Sequence, residues 1–145
     1  MPSFRPNPRR AFLDASGFLA AVSTRDRYHQ QAREAWQSII TQRLRTFTTN
    51  FVLAETHALF LTRLSYEAAA AFPQDIRKST TTIVRVAIRD EIRAEAIIFH
   101  QNDKRFSFTD ATRFAVMERL HIAQALTSDR NFAQHGFIPL YHLER

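Results

Sequence analysis

Apolar and polar positions along the chain switch between short runs and helical spacing, and the switches alternate strands with helices. After a segment punctuated by Pro2, Pro6 and Pro8, the run Ala11-Phe12-Leu13 reads as a short buried strand. A helical turn from Ala15 to Val22 follows. A longer helix is predicted near Tyr28 to Arg43, with Ala32, Ala35, Trp36 and Ile39/Ile40 on one face. Thr46 to Thr48 reads as the next strand, and Asn50 suits the N-cap of a helix from Phe51 to about Ala71, supported by the alanine run Ala68 to Ala71 and ended by Pro73. Between Gln74 and Gln101 the pattern predicts a helix near Asp75 to Thr81, a β-branched stretch from Thr82 to Ile88 and a helix near Asp90 to His100. Thr109 is placed to cap a helix from Asp110 to Leu120, whose apolar side carries Ala111, Phe114 and Ala115. Ile122 to Thr127 reads as a strand, and Ile138 to Leu143 as a final edge strand.

Such alternation predicts an α/β fold: a single domain with a mostly parallel central sheet flanked by helices on both faces, whose ligands gather at the carboxyl ends of the strands. The expected organisation is a basic N-terminal arm over residues 1–10 and one domain over 11–145. No internal repeat or low-complexity tract interrupts it. A chain of 145 residues with 45% hydrophobic content and thirteen Phe can fill one core.

Composition narrows the function classes. The absence of cysteine excludes a disulfide framework, thiolate zinc and a Cys nucleophile. Two glycines, Gly17 and Gly136, exclude a Gly-rich phosphate loop. The six histidines show no metal-ligand spacing, Ser16 and Ser128 lack a nucleophile-elbow context, and Trp36 on its helix face fits a core position better than a base-stacking platform. No apolar run approaches the roughly twenty residues that a membrane span needs. Arg9-Arg10-Ala11-Phe12-Leu13 superficially resembles a twin-arginine signal, but Asp14 interrupts its apolar core and no clean cleavage site follows. A soluble, cytoplasmic protein without membrane contact is expected. The formal charge of +6, with eighteen of twenty basic residues being Arg, makes a polyanionic partner plausible, although charge alone is equally compatible with a biased genome.

Candidate chemistry lies in four carboxylates in apolar company. Asp14 closes Ala11-Phe12-Leu13, Glu55 lies inside Phe51-Val52-Leu53-Ala54, Asp110 follows Phe106-Ser107-Phe108-Thr109, and Asp129 ends Ala125-Leu126-Thr127-Ser128. Asp14 and Asp129 each follow a strand, at the ligand-binding edge of a parallel sheet. Glu55 shares a helix face with Val52 and Leu59, a face that should meet the core. Each acid has a bland alternative: Asp14 as the cap of the next helix, Glu55 paired with Arg63, Asp110 as a helix-start anion, Asp129 as a turn acid. Their joint placement points instead to one site sharing a divalent cation, since isolated ionised acids in apolar surroundings are costly.

The segments Asp14-Ala15-Ser16, Thr49-Asn50-Phe51-Val52-Leu53-Ala54-Glu55, Asp103 to Asp110 and Thr127-Ser128-Asp129-Arg130-Asn131-Phe132 resemble, in order and spacing, the motifs of PIN domains. The resemblance runs from about Ala11 to Leu140. It implies a divalent-metal-dependent ribonuclease fold, often the toxin of a VapBC-type toxin-antitoxin pair. Carried over by position, Asp14, Glu55, Asp110 and Asp129 match the acidic quartet, catalytic and metal-binding, while Thr127 and Asn131 match supporting polar positions. Asp103 and Lys104 also recur in the family's pattern, but a loop acid ahead of a capped helix is structural more often than catalytic.

The implied cofactor is Mg²⁺ or Mn²⁺, with Asp14 and Asp110 as direct ligands, Glu55 as ligand through water or base for the attacking water, and Asp129 as ligand of the same or a second ion. The implied products carry a 5′ phosphate and a 3′ hydroxyl. The expected partners are an RNA substrate and an antitoxin protein, with a homodimer among the expected assemblies. The alternative is a PIN-like module that binds RNA or a protein without cutting.

Overall fold

The computed structural model describes residues 3–144; Met1 and Pro2, at the start of the expected arm, lie outside the described residues, as does Arg145. Among the described residues five strands form one sheet: β1 (Arg10–Leu13), β2 (Arg45–Thr49), β3 (Thr82–Val84), β4 (Gln124–Leu126) and β5 (Ile138–Pro139). The spatial order is β3-β2-β1-β4-β5 and every pairing is parallel, with Phe12 opposite both Phe47 and Ala125. Seven helices among the described residues connect the strands: α1 (Ala15–Val22), α2 (His29–Thr41), α3 (Asn50–Arg63), α4 (Tyr66–Lys78), α5 (Ile88–His100), α6 (Phe108–Arg119) and α7 (Asn131–Gln134). Parallel crossovers are right-handed. The chain therefore lays α1 to α4 on one face while stepping from β1 to β3, then α5 to α7 on the other after stepping back to β4. Contacts among α1, α2, α3 and α4, and between α5 and α6, follow this division.

The core explains the sheet's short strands. Phe12, Leu13, Ala125 and Leu126 are fully buried because β1 and β4 are covered on both faces, so they read as continuous apolar runs. Phe114 of α6 packs edge-on against Phe106 and Phe132, at 5.1 and 5.2 Å between ring centroids. Of the N-terminal arm, Phe4 stacks near His121 and Phe137, and the Asn7 backbone N–H donates to the His121 carbonyl at 2.8 Å.

Several element boundaries differ from expectation, each for a local reason. The helix predicted from Phe51 to Ala71 is two helices, because Ser65 accepts the Ala68 backbone N–H and starts a new one. Thr49, not Asn50, caps α3: its hydroxyl accepts the Val52 N–H at 3.0 Å, while the Asn50 side chain accepts the N–H of Val86. Pro73 does not end its helix but lies inside α4, which runs on to Lys78 and absorbs much of the separate helix expected near Asp75 to Thr81. A proline there costs about 3 kcal/mol. Phe72 beside it packs edge-on against Phe18 and Phe60, at 5.0 and 5.1 Å, and this burial offsets the lost rung. Ser107, not Thr109, caps α6, in a reciprocal box with Asp110. Ile40, expected on the packed face of α2, is exposed. The last strand is cut to two residues, since Pro139 can donate no hydrogen bond and is tolerated only at an edge. None of the described helices is long and apolar enough to cross a membrane.

Candidate active site

The direction of strand order reverses between β1 and β4, and in a parallel sheet that reversal opens a crevice at the carboxyl ends. Asp14 leaves β1 there and Asp129 leaves the β4 side, while α3 brings Glu55 and α6 brings Asp110. All four border one open cavity of about 570 Å³, together with Ser16 and Arg113. A larger apolar cavity of about 720 Å³ lies between α2 and α4 and carries Asp75 as its one carboxylate.

The close approach of α1 to β4 depends on Gly17. A Cβ at that position would sit 2.0 Å from the Leu126 carbonyl oxygen, so only glycine lets α1 begin this close to the strand. The Asp14 N–H consequently reaches the Leu126 carbonyl at 3.1 Å. Two hydroxyls then tie the loops together. Asp14 Oδ2 accepts from Ser16 Oγ at 2.8 Å and from Thr127 Oγ1 at 3.0 Å. Ser16 Oγ accepts the Ser128 N–H at 2.9 Å, and Thr127 Oγ1 accepts the Asp129 N–H at 3.0 Å. Asn131 bridges the other side: its backbone N–H donates to Asp129 Oδ1 at 2.9 Å and its side-chain amide to Asp110 Oδ2 at 3.0 Å. Asp110 Oδ2 also accepts the Ser107 N–H at 3.0 Å, so the α6 cap and the site share one carboxylate.

The six residues singled out in the sequence thus stand together. The residue that sequence reasoning missed stands among them. Arg113, one turn after Asp110 on α6, sends its guanidinium into the middle of the acids. Nη1 donates to Asp14 Oδ1 at 2.7 Å and to Glu55 Oε1 at 3.0 Å. Nη2 donates to Asp110 Oδ1 and lies 3.6 Å from Asp129 Oδ2. Glu55 therefore pairs with Arg113 and not with Arg63, which is exposed. Its mark is structural: residues 110 to 117 are all buried, and an arginine inside such a run needs a buried anion. Ser16 joins the Asp14 and Asp129 loops.

Burial is uneven across the site. The side chains of Asp14, Arg113 and Asp110 are 1%, 4% and 10% exposed, against 39% for Glu55 and 29% for Asp129. Partial burial pushes Glu55 above its ordinary pKa; Arg113 pulls it back, and Asp14 and Asp110 push it further up. Burial likewise raises Asp129, with Asp110 and Asp14 adding to it and the Asn131 N–H opposing. For Arg113 burial alone would lower the pKa, yet the four carboxylates hold it above the ordinary arginine value, so its charge is permanent.

As they stand, no three acidic or histidine side chains among the described residues are arranged to hold an ion, because Arg113 occupies their centre. The donor chemistry still fits a hard divalent cation. Carboxylate oxygens dominate, four acids outnumber one arginine, and the less buried pair, Glu55 and Asp129, faces the open cavity.

Comparison with known proteins agrees with this geometry. A family model described as the PIN domain matches residues 11–138. The chain is 34% identical over 128 residues to the 23S rRNA-specific endonuclease VapC20 of Mycobacterium tuberculosis, in both strain CDC 1551 / Oshkosh and strain H37Rv, covering 88% of this chain and 95% of that protein. The crystal structure of Mycobacterium tuberculosis VapC20, described as a sarcin-ricin loop cleaving toxin, superposes with a TM-score of 0.80 at 29% identity, covering 88% of this chain and 96% of the other. With the all-parallel sheet, the switch-point crevice and the acids that meet in it, these matches lead to one conclusion: the chain belongs to the PIN domain family.

Proposed function

We propose that this chain is a divalent-metal-dependent endoribonuclease of the VapC toxin type, acting through Asp14, Glu55, Asp110 and Asp129. The observation that carries the reading is the convergence of these four acids at the sheet's switch point in a chain that matches a 23S rRNA-specific endonuclease over 88% of its length. The four carboxylates would hold Mg²⁺ or Mn²⁺, which when bound supplies an acidified water as nucleophile and neutralises charge on the phosphorus oxygens.

The chain's own residues do the rest. Ser16, Thr127 and Asn131 fix the rotamers of Asp14, Asp129 and Asp110, so the carboxylates are preorganised. Glu55, half-exposed and with a raised pKa, is the group placed to take a proton from the attacking water. RNA affinity rests on arginine contacts to phosphate, to which the net charge of +6 contributes at longer range. The relatives' activity makes the sarcin-ricin loop of 23S rRNA the first substrate to test and an antitoxin protein the expected partner.

The decisive experiment incubates purified protein with total RNA in Mg²⁺ or Mn²⁺, with and without EDTA, alongside Asp14→Asn, and maps breaks by primer extension on 23S rRNA. Discrete cleavage that EDTA and Asp14→Asn both abolish is expected. Cleavage unchanged by either would remove the metal and the quartet from the reaction.

A further inference from the structure

Arg113 is placed as a cation of the site rather than as a contact for RNA. Its side chain borders the cavity but is only 4% exposed, and both of its terminal nitrogens are taken up by the acids, which leaves little of it for a phosphate. Each terminal nitrogen spans two carboxylates, Nη1 joining Asp14 to Glu55 and Nη2 joining Asp110 to Asp129. Bridging pairs of carboxylates is the task of a divalent ion in a two-ion nuclease centre. Resting on the metal-dependent reading above, we propose that Arg113 is the built-in second cation of the quartet, and that the quartet takes a single divalent ion, admitted from the open side where Glu55 and Asp129 lie.

The distribution of oxygens supports this division. Both oxygens of Asp14 are engaged, Oδ1 by Arg113 and Oδ2 by the Ser16 and Thr127 hydroxyls. Both oxygens of Asp110 are engaged too, by Arg113, the Ser107 N–H and the Asn131 amide. Glu55 meets Arg113 with Oε1 alone, and Asp129, whose Oδ1 accepts the Asn131 N–H, turns toward Arg113 only Oδ2, at 3.6 Å. The two side chains nearest the cavity are thus those with donor capacity to spare. Charge agrees: four carboxylates and one guanidinium leave a net −3, which one divalent ion reduces to −1 and two would overshoot to +1. Phe132, with its ring 5.5 Å from the guanidinium carbon, backs Arg113 and keeps it from swinging away.

The test counts ions and does not depend on cleavage. Metal-free wild-type protein is titrated with Mn²⁺, read by calorimetry and by the electron paramagnetic resonance signal of free Mn²⁺. One Mn²⁺ per chain is expected; two would overturn the proposal while leaving metal dependence intact, and none at millimolar Mn²⁺ would overturn both. Arg113→Met, neutral and of similar length, is expected to bind a second Mn²⁺ or to bind the first at least tenfold more tightly, whereas Arg113→Lys keeps the wild-type count of one. Should Arg113→Met fold only with metal, it is prepared in Mn²⁺, desalted and its bound manganese measured directly. A wild-type count and affinity in Arg113→Met refutes the assignment.

Discussion

Asp14→Asn separates two views of the acidic site that make opposite predictions. If the four acids mainly repel one another, removing one charge should leave the metal-free protein as stable as before or more so. The geometry argues otherwise. Asp14 is 1% exposed and accepts three hydrogen bonds, from Arg113, Ser16 and Thr127. Asparagine offers one acceptor oxygen where the carboxylate has two, and its amide can only donate. If the oxygen stays on Arg113, the amide meets both hydroxyls as a donor, and Ser16 and Thr127, which already accept the Ser128 and Asp129 N–H groups, lose the acceptor for their own protons. If it turns the other way, a buried guanidinium faces a donor. Hydrogen bonds to charged groups contribute about 1.5 to 3 kcal/mol each, so a net loss of about 2 kcal/mol is the working figure. At this chain length 1 kcal/mol corresponds to roughly 3 °C, and Asp14→Asn should melt about 6 °C below wild type in EDTA. Differential scanning calorimetry in EDTA decides it. A variant that melts at or above wild type would mean that repulsion dominates and that the Arg113 pairing contributes little.

Glu55 should behave in the opposite sense, because its folded pKa lies above the unfolded value: its contribution to stability is present at low pH and lost as pH rises through the folded pKa. In EDTA, Glu55→Gln is expected to melt above wild type at neutral pH, with the gap closing as pH falls through the interval between the two pKa values; a gap that stays constant with pH refutes this. Gly17→Ala drives a Cβ against the Leu126 carbonyl, and a loss of about 1 to 3 kcal/mol is expected together with cleavage, since α1 carries Ser16 and anchors Asp14. A fully active Gly17→Ala protein would show that the close approach is dispensable. RNA binding should weaken steeply with salt, and a flat response in filter binding would exclude arginine-phosphate contacts as its source.

What could be read from the sequence was whatever depends on local period. Ala11 to Leu13 and Ala125 to Leu126 declare themselves as buried strands by being apolar throughout, and the acids that follow them fall at the sheet edge once the sheet is parallel. Glu55 was legible by its helix face, although that face ends at the cavity rim rather than in the core, leaving the side chain 39% exposed. Thr127 and Asn131 were found only through family resemblance, since nothing local says that they hold acids from other loops. Cap choice failed where two candidates lay close together: Ser107 and Thr109 both precede Asp110, and only the three-residue spacing of Ser107 allows the reciprocal box. Arg113 was invisible for a different reason. Among eighteen arginines one draws no notice, and its role exists only because loops distant in sequence close around it.

The hydroxyl relay that joins Asp14 to Thr127 spans 113 positions of sequence, and the pairing of β1 with β4 beside it is equally long-range. Contacts of such separation form late, because the loop they close must first lose its freedom. The four acids therefore form one site only when that long loop has closed, and partly folded chains carry them without a site. If the chain is the toxin-type nuclease proposed above, topology alone would give it a period of harmlessness in which a partner could engage it first.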